Sequence, residues 1–165
     1  MGNRRGDGVT ASRQAGGRRQ RGFSLVELLV AVAILAILAG IGYPLYTDQV
    51  QKARRTDARN SLRMIAMAQE RYYTVNGSYA PNLAADDADG NLLNLPDKLT
   101  DGDTMEGHYS ISLVMGGADN LSYTLVATAQ GGQADDESCQ AFNLDQTGVT
   151  RASDREGHDT TDTCW

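Results

Sequence analysis

Arg21-Gly22-Phe23-Ser24-Leu25-Val26-Glu27-Leu28-Leu29 sets a basic leader, a glycine and an apolar run holding one carboxylate in immediate succession. No charged side chain occurs from Leu28 to Thr47. As a helix rising about 1.5 Å per residue, that run matches a hydrocarbon core of about 30 Å. Glu27 stands at its mouth. A carboxylate in lipid costs about 2.5–3.5 kcal/mol on insertion scales, so its presence asks for a function and a partner.

Upstream, residues 1–22 carry six arginines (Arg4, Arg5, Arg13, Arg18, Arg19 and Arg21) against Asp7, a net of +5. The whole chain is at −6, which leaves −11 for everything after Gly22. Basic residues before an apolar run hold that end in the cytoplasm and send the acidic remainder outside. The leader itself, rich in Gly, Arg and Gln, has too little apolar surface to fold alone. An ordinary secretory signal would place a small-residue cleavage site after a short apolar core. Here Ala31-Val32-Ala33 lies inside the run, which continues to Tyr46. A plain N-terminal anchor accounts for the length and flanks, but for neither Glu27 nor the Gly22-Phe23 junction. At 165 residues the chain has room for one domain beside this segment.

Downstream, Gly40, Gly42 and Pro44 weaken the helix and predict a bend or melted turn there. Beyond Tyr46 the pattern becomes amphipathic: Val50, Ala53, Asp57/Ala58, Leu62, Ile65, Ala68/Gln69 and Tyr72 recur at helical spacing. Lys52, Arg54, Arg55, Arg59, Arg63 and Arg71 lie mostly off that stripe. Asn76-Gly77 supplies the stop. Residues 78–107 read as a long connecting loop with one short turn of helix. Alternation from Tyr109 to Val114 and from Leu121 to Thr128, around a Gly116-Gly117-Ala118-Asp119-Asn120 turn, predicts a hairpin. A third strand is expected at 140–144 and a short fourth near 149–151. Helix and sheet each present one apolar face, so they pack on each other in an α+β fold. Cys139 and Cys164 form a disulfide if this part is exported, worth about 3 kcal/mol for a loop of that length.

The stretch Gly22-Phe23-Ser24-Leu25-Val26-Glu27-Leu28 resembles the class III signal of type IV pilins and the related pseudopilins. The resemblance implies cleavage by a prepilin peptidase between Gly22 and Phe23 and N-methylation of Phe23. Glu27 becomes the fifth mature residue, the family's position for its glutamate, and Pro44 falls where family helices carry a proline. Tyr43-Pro44-Leu45-Tyr46, Lys52-Ala53-Arg54-Arg55, the run from Ala68 to Tyr79, and the Cys139, Gly148 and Cys164-Trp165 ending are similar to the minor-pilin branch grouped with Neisseria-type pilins. The leader is longer and more Gly-rich than most of that branch. In family filaments the glutamate meets the N-terminal amine of a neighbouring subunit, a buried ionic contact that fixes register. The competing reading is a boundary glutamate that snorkels to water.

The resemblance divides the chain into a leader peptide (1–22), a transmembrane and assembly helix (23–46) and a periplasmic head including the amphipathic half-helix (47–165). It implies a type IV pilin fold and a pilus subunit serving adhesion, twitching motility or DNA uptake. Expected partners are other pilin subunits, the prepilin peptidase, the inner-membrane assembly platform and, before assembly, lipid. A type II secretion pseudopilin and a monomeric membrane-anchored periplasmic binding module are the alternatives. Ala33, Ala36, Ala39 and Gly40 would let helices approach closely.

Other constellations are weaker. Asp86, Asp87 and Asp89 beside Gly90, and Asp101-Gly102-Asp103, lack the spacing of a twelve-residue calcium loop and read as solvated acidic loops. His108 and His158 have no companion pattern for zinc, so neither a metal nor a cofactor is expected. The cationic stripe from Lys52 to Arg71 could touch DNA or anionic lipid, but against a −11 exported part it reads as a solvated helix face, and nucleic acid is not expected as a partner. No Gly-x-Ser-x-Gly elbow or other nucleophile arrangement occurs, which argues against an enzyme.

Overall fold

Leu, Ala, Ile and Val fill residues 28–39, and a lone segment in lipid must satisfy its own backbone hydrogen bonds, which a helix does. The computed structural model describes residues 23–84, 86–87 and 90–165. Helix α1 runs from Leu25 to Asn76, opening with a bond from the Leu28 amide to the Ser24 carbonyl. It closes on Gly77, whose φ of 72° is the left-handed conformation a glycine adopts without cost. The melted turn expected at Gly40 to Pro44 is absent, since the helix continues through all of these residues. A proline here deletes one backbone donor, and the ladder on either side is enough to hold the helical path.

Two compact units divide inside α1, between Ile41 and Gly42. In the first, the described apolar side chains from Leu25 to Ile41 are all exposed, and the helix is long and apolar enough to cross a membrane.

The second unit holds every other element. After α1 come β1 (Asp86–Asp87), β2 (Gly90–Asn91), α2 (Asp97–Thr100), β3 (Tyr109–Met115), β4 (Tyr123–Ala129), a 3-10 turn (Gly131–Asp135), β5 (Ala141–Asp145), β6 (Thr150–Ser153) and α3 (Thr161–Cys164). Strands β3 to β6 form an antiparallel meander in sequence order, and β1 pairs with β2 in a separate two-stranded ribbon. Register is set by alternation: Ile111 opposes Ala127, which opposes Phe142, which opposes Ala152, all buried on one face. These side chains join Ala58, Leu62, Ile65 and Ala68 of α1 in one core. Tyr109 meets Phe142 edge to face at 5.5 Å, and Phe142 meets Trp165 at 5.7 Å. The expected hairpin, third strand and fourth strand are therefore present. The Cys139–Cys164 disulfide is formed, with a Cα separation of 5.9 Å, and closes β5, β6 and α3 into one loop.

Two expectations need correction. Residues 78–107 are more than a connecting loop. Tyr79, Ala80, Leu83, Leu93, Leu95 and Leu99 are buried and complete the core where helix and sheet leave it open. The Gln69 amide clamps this segment to α1, donating from Nε2 to the Ala80 carbonyl at 3.1 Å and accepting from the Ala80 amide at 2.8 Å. The amphipathic stripe is also out of phase at its start. Ala53 is exposed, and Arg55, placed off the stripe by its charge, is buried.

Candidate functional site

The sequence-predicted residues fall into separate places. Gly22 lies outside the described residues, while Phe23 and Glu27 are exposed at the start of α1. Glu27 has no hydrogen bond or ion pair among the described residues, and as an acid in the first turn it favours the helix dipole. Pro44 lies within α1. Next to Gly40 and Gly42 an added Cβ would meet nothing within 4 Å, so these positions leave room for another helix. Of the acidic candidates, Asp103 accepts a 2.8 Å bond from Gln130 Nε2, a structural use, and Asp101 ends α2 through its backbone amide; Asp89 lies outside the described residues. His158 faces Asp154 at 2.9 Å in an exposed turn, and His108 faces Glu106 at 3.5 Å.

Sequence reasoning missed a buried network behind the 3-10 turn. Arg55 donates from Nε to Asp136 Oδ2 at 2.7 Å and from Nη2 to Oδ1 at 2.9 Å, a bidentate pair with both side chains almost wholly buried. Gln133 Nε2 donates to Asp136 Oδ2 and the Tyr109 hydroxyl, each at 3.0 Å, and to the Gln51 carbonyl at 3.3 Å. Burial pushes Tyr109 up to about 12; the Gln133 hydrogen bond pulls the other way and the Asp136 charge adds to the rise. A signal existed: 51, 55, 58, 62, 65 and 69 recur at steps of four and three, which puts Arg55 on the core seam despite its charge.

Trp165 gathers two cations that the sequence left a helical turn apart. Arg63 stacks over its ring at 5.6 Å, Arg59 Nη1 donates to its carbonyl at 3.0 Å, and its own Nε1 donates to the Arg151 carbonyl on β6 at 2.7 Å. One guanidinium, that of Arg63, thus lies on the half-buried ring, a second, that of Arg59, is held at the Trp165 backbone, and β6 meets the indole through the main chain of Arg151. Arg59, Arg63, Met67 and Arg71 follow one another at four-residue steps, so they form one ridge along α1. Beside that ridge a groove of about 600 Å³ opens between α1 and the β5–β6 turn, lined by Met67, Arg71, Tyr123, Gln146, Thr147 and Gly148 among others. Asp145 builds that turn by accepting from the Thr147 amide at 2.8 Å, the Thr147 hydroxyl at 2.6 Å and the Val149 amide at 3.0 Å. Burial alone would push its carboxyl up, but the Thr147 hydroxyl and the two amides outweigh that and hold it below its ordinary value. The groove itself also carries the carboxylates of Glu70 and Asp145, and the Thr147 and Val149 donors are spent on Asp145, so the groups suited to a nucleic-acid backbone are the arginines of the ridge.

An apolar N-terminal helix whose continuation packs on a four-stranded antiparallel sheet, with a disulfide closing the C-terminal end, defines the type IV pilin class. Residues 17–43 match the prokaryotic N-terminal methylation motif, and residues 44–143 match the family described as "Type IV minor pilin ComP, DNA uptake sequence receptor". The chain belongs to that family, whose members are structural subunits rather than enzymes, and membership places it first in a membrane and then at the pilus surface. It is similar to the type IV wide pilus major component PilA4 of Thermus thermophilus, at 33% identity over 70% of this chain and 78% of that one. It is 51% identical to prepilin peptidase-dependent protein D of Escherichia coli over 24% of this chain, and the match spans 27% of that protein's length. Several other curated relatives are likewise matched over less than half their length. Among solved structures, the non-core minor pilin PilV of Neisseria meningitidis aligns with a TM-score of 0.45 at 18% identity, over 67% of this chain and 93% of that one. The expectation against nucleic acid is corrected by the family match, because the family is described as a receptor for a DNA sequence. Net charge misled there: −11 summed over the exported part says nothing about a local ridge of like sign.

Proposed function

We propose that the chain is a minor type IV prepilin whose mature head contacts DNA at the pilus surface. The match of residues 44–143 to a DNA-uptake minor-pilin family carries this reading. The precursor is cut between Gly22 and Phe23 and methylated on Phe23 by the prepilin peptidase. Residues 23–46 hold it in the inner membrane as a single span with residues 47–165 in the periplasm. The assembly platform then adds it to other pilin subunits through the apolar helix. Glu27, which has no partner among the described residues, pairs with the Phe23 amine of a neighbour, so that each charge neutralises the other away from water. Pro44 marks the end of the assembly segment.

On the head, Arg59, Arg63 and Arg71 face the phosphate backbone, and Trp165 fixes the two arginines nearest it. Phosphate contacts are sequence-independent, so the ridge supplies affinity and position, while the neighbouring groove is the place for base-edge contacts.

Two experiments test the two halves of the proposal. Glu27→Ala is expected to insert but to be depleted from sheared filaments, and mutant filaments carrying it at wild-type abundance would refute the assembly contact. Duplex DNA binding by the full-length protein in detergent is expected to weaken linearly on logarithmic axes as salt rises. Arg63→Ala should lower that slope by about 0.9, one released counterion. A slope unchanged by Arg63→Ala and Arg71→Ala together removes the ridge from the interface.

A further inference from the structure

Arg54, the neighbour of the buried Arg55, has the opposite fate. It is half-buried yet makes no hydrogen bond or ion pair among the described residues. It lines a concave site of about 280 Å³ with Tyr43, Tyr46 and Val50 on one side and Gly132 and Asp135 of the 3-10 turn on the other. A Cβ added at Gly132 would lie 3.6 Å from Arg54 Nη1, which puts the guanidinium against the turn. That turn is held on α1 by the Gln133 bond to the Gln51 carbonyl, so the two walls of the site are fixed to each other. Asp135 is exposed and likewise lacks a partner among the described residues. A cation and an anion therefore line one small site without pairing with each other. The nearby Lys52 and Asp48 are 3.7 Å apart and neutralise one another.

Position says what such a site would meet. Tyr43 and Tyr46 are exposed and close the apolar run, where amphipathic aromatic rings settle at the bilayer interface. Arg54 lies two helical turns further on, about 12 Å along the axis, and side chains on a helix lean back toward its N-terminus. Its guanidinium then reaches the headgroup layer outside the hydrocarbon core. Guanidinium binds phosphate in a two-pronged fashion, and a carboxylate beside it suits an ammonium.

We infer that Arg54 and Asp135 form a binding site for the zwitterionic headgroup of an aminophospholipid, phosphate on Arg54 and primary ammonium on Asp135, with Tyr43 and Tyr46 against its glycerol end. The site holds the head against the outer face of the inner membrane until the subunit is drawn into a filament. It rests on the reading of residues 23–46 as a membrane span and does not involve the DNA ridge.

The test uses the full-length protein in micelles doped with equal amounts of phosphatidylethanolamine, phosphatidylcholine and phosphatidylglycerol, with retained lipid read by native mass spectrometry. Phosphatidylethanolamine is expected to be enriched about fivefold over the other two, the scale of one partly exposed charged contact. Arg54→Gln should abolish retention of all three, and Asp135→Asn should keep retention but erase the preference for phosphatidylethanolamine over phosphatidylglycerol. Soluble phosphoethanolamine at the same concentration should not displace the lipid. Equal retention of the three lipids by the unaltered chain, or unchanged enrichment in folded Arg54→Gln, overturns the site. Carbonate extraction of membranes separates the failures. A chain that washes off overturns the membrane reading and this site together, whereas an embedded chain without lipid preference overturns the site alone.

Discussion

Residues 25–41 and residues 55–72 belong to the same helix and differ in where their partners are. In the first stretch the described apolar side chains are exposed, Leu35 at 64%, although they are the greasiest in the chain. In the second, Leu62 is fully buried, and even an arginine and an aspartate are drawn into the interior. A helix that is apolar all round with no internal partner needs lipid or other helices, while one with a single apolar seam is satisfied by its own sheet. The stability of the head is thus expected to be set by the second stretch alone, and assembly by the first.

The sharpest way to break this contrast is to strip Asp136 from Arg55. Asp136→Ala leaves a buried guanidinium unpaired and is expected to cost the head about 3–5 kcal/mol, read by denaturant unfolding of the detergent-solubilised protein. A cost below 1 kcal/mol would mean that Arg55 finds water, and that the seam is wetter than its burial indicates. Matched truncations come next. Leu62→Ala should destabilise by about 2–5 kcal/mol, whereas Leu35→Ala should leave the same unfolding transition in place. Equal effects would erase the distinction between the halves.

The smallest expected effect is a local one on the head's rim. Asp145 is held below its ordinary value of 3.8, so its support of the β5–β6 turn is complete above that pH and is lost as pH falls through the lower folded value. The amide resonances of Thr147 and Val149 should titrate together with a midpoint under 3.8, and Asp145→Asn should abolish the titration. A midpoint above 3.8 contradicts the hydrogen-bonded turn.

Much of this was legible before any coordinates. Periodicity of 3.6 and 2 marked the helix and the strands, because those spacings are properties of the backbone and survive any packing. The strand alternation around Tyr123, Leu125 and Ala127 named buried residues correctly for the same reason. Where the reading failed, charge or composition hid the geometry. Arg55 was placed outside the core because a guanidinium is rarely buried, and the Asp136 that makes its burial tolerable lies 81 residues away. Residues 78–107 looked like solvent loop because Asp, Asn and Gly dilute their leucines, yet Leu93, Leu95 and Leu99 fill a gap whose shape only the helix and sheet define.

The sequence by itself determined the N-terminal methylation motif, the length of the apolar run, the isolated Glu27 and the α+β order of elements, since each rests on neighbours in the chain. Only the tertiary structure decided that Arg55 turns inward to Asp136 while Arg54 finds no partner among the described residues and lines a site with Asp135, and that Arg59 and Arg63 converge on Trp165. Those groupings depend on contacts between distant segments, and the same residue types would carry different roles on any other packing of the same helix.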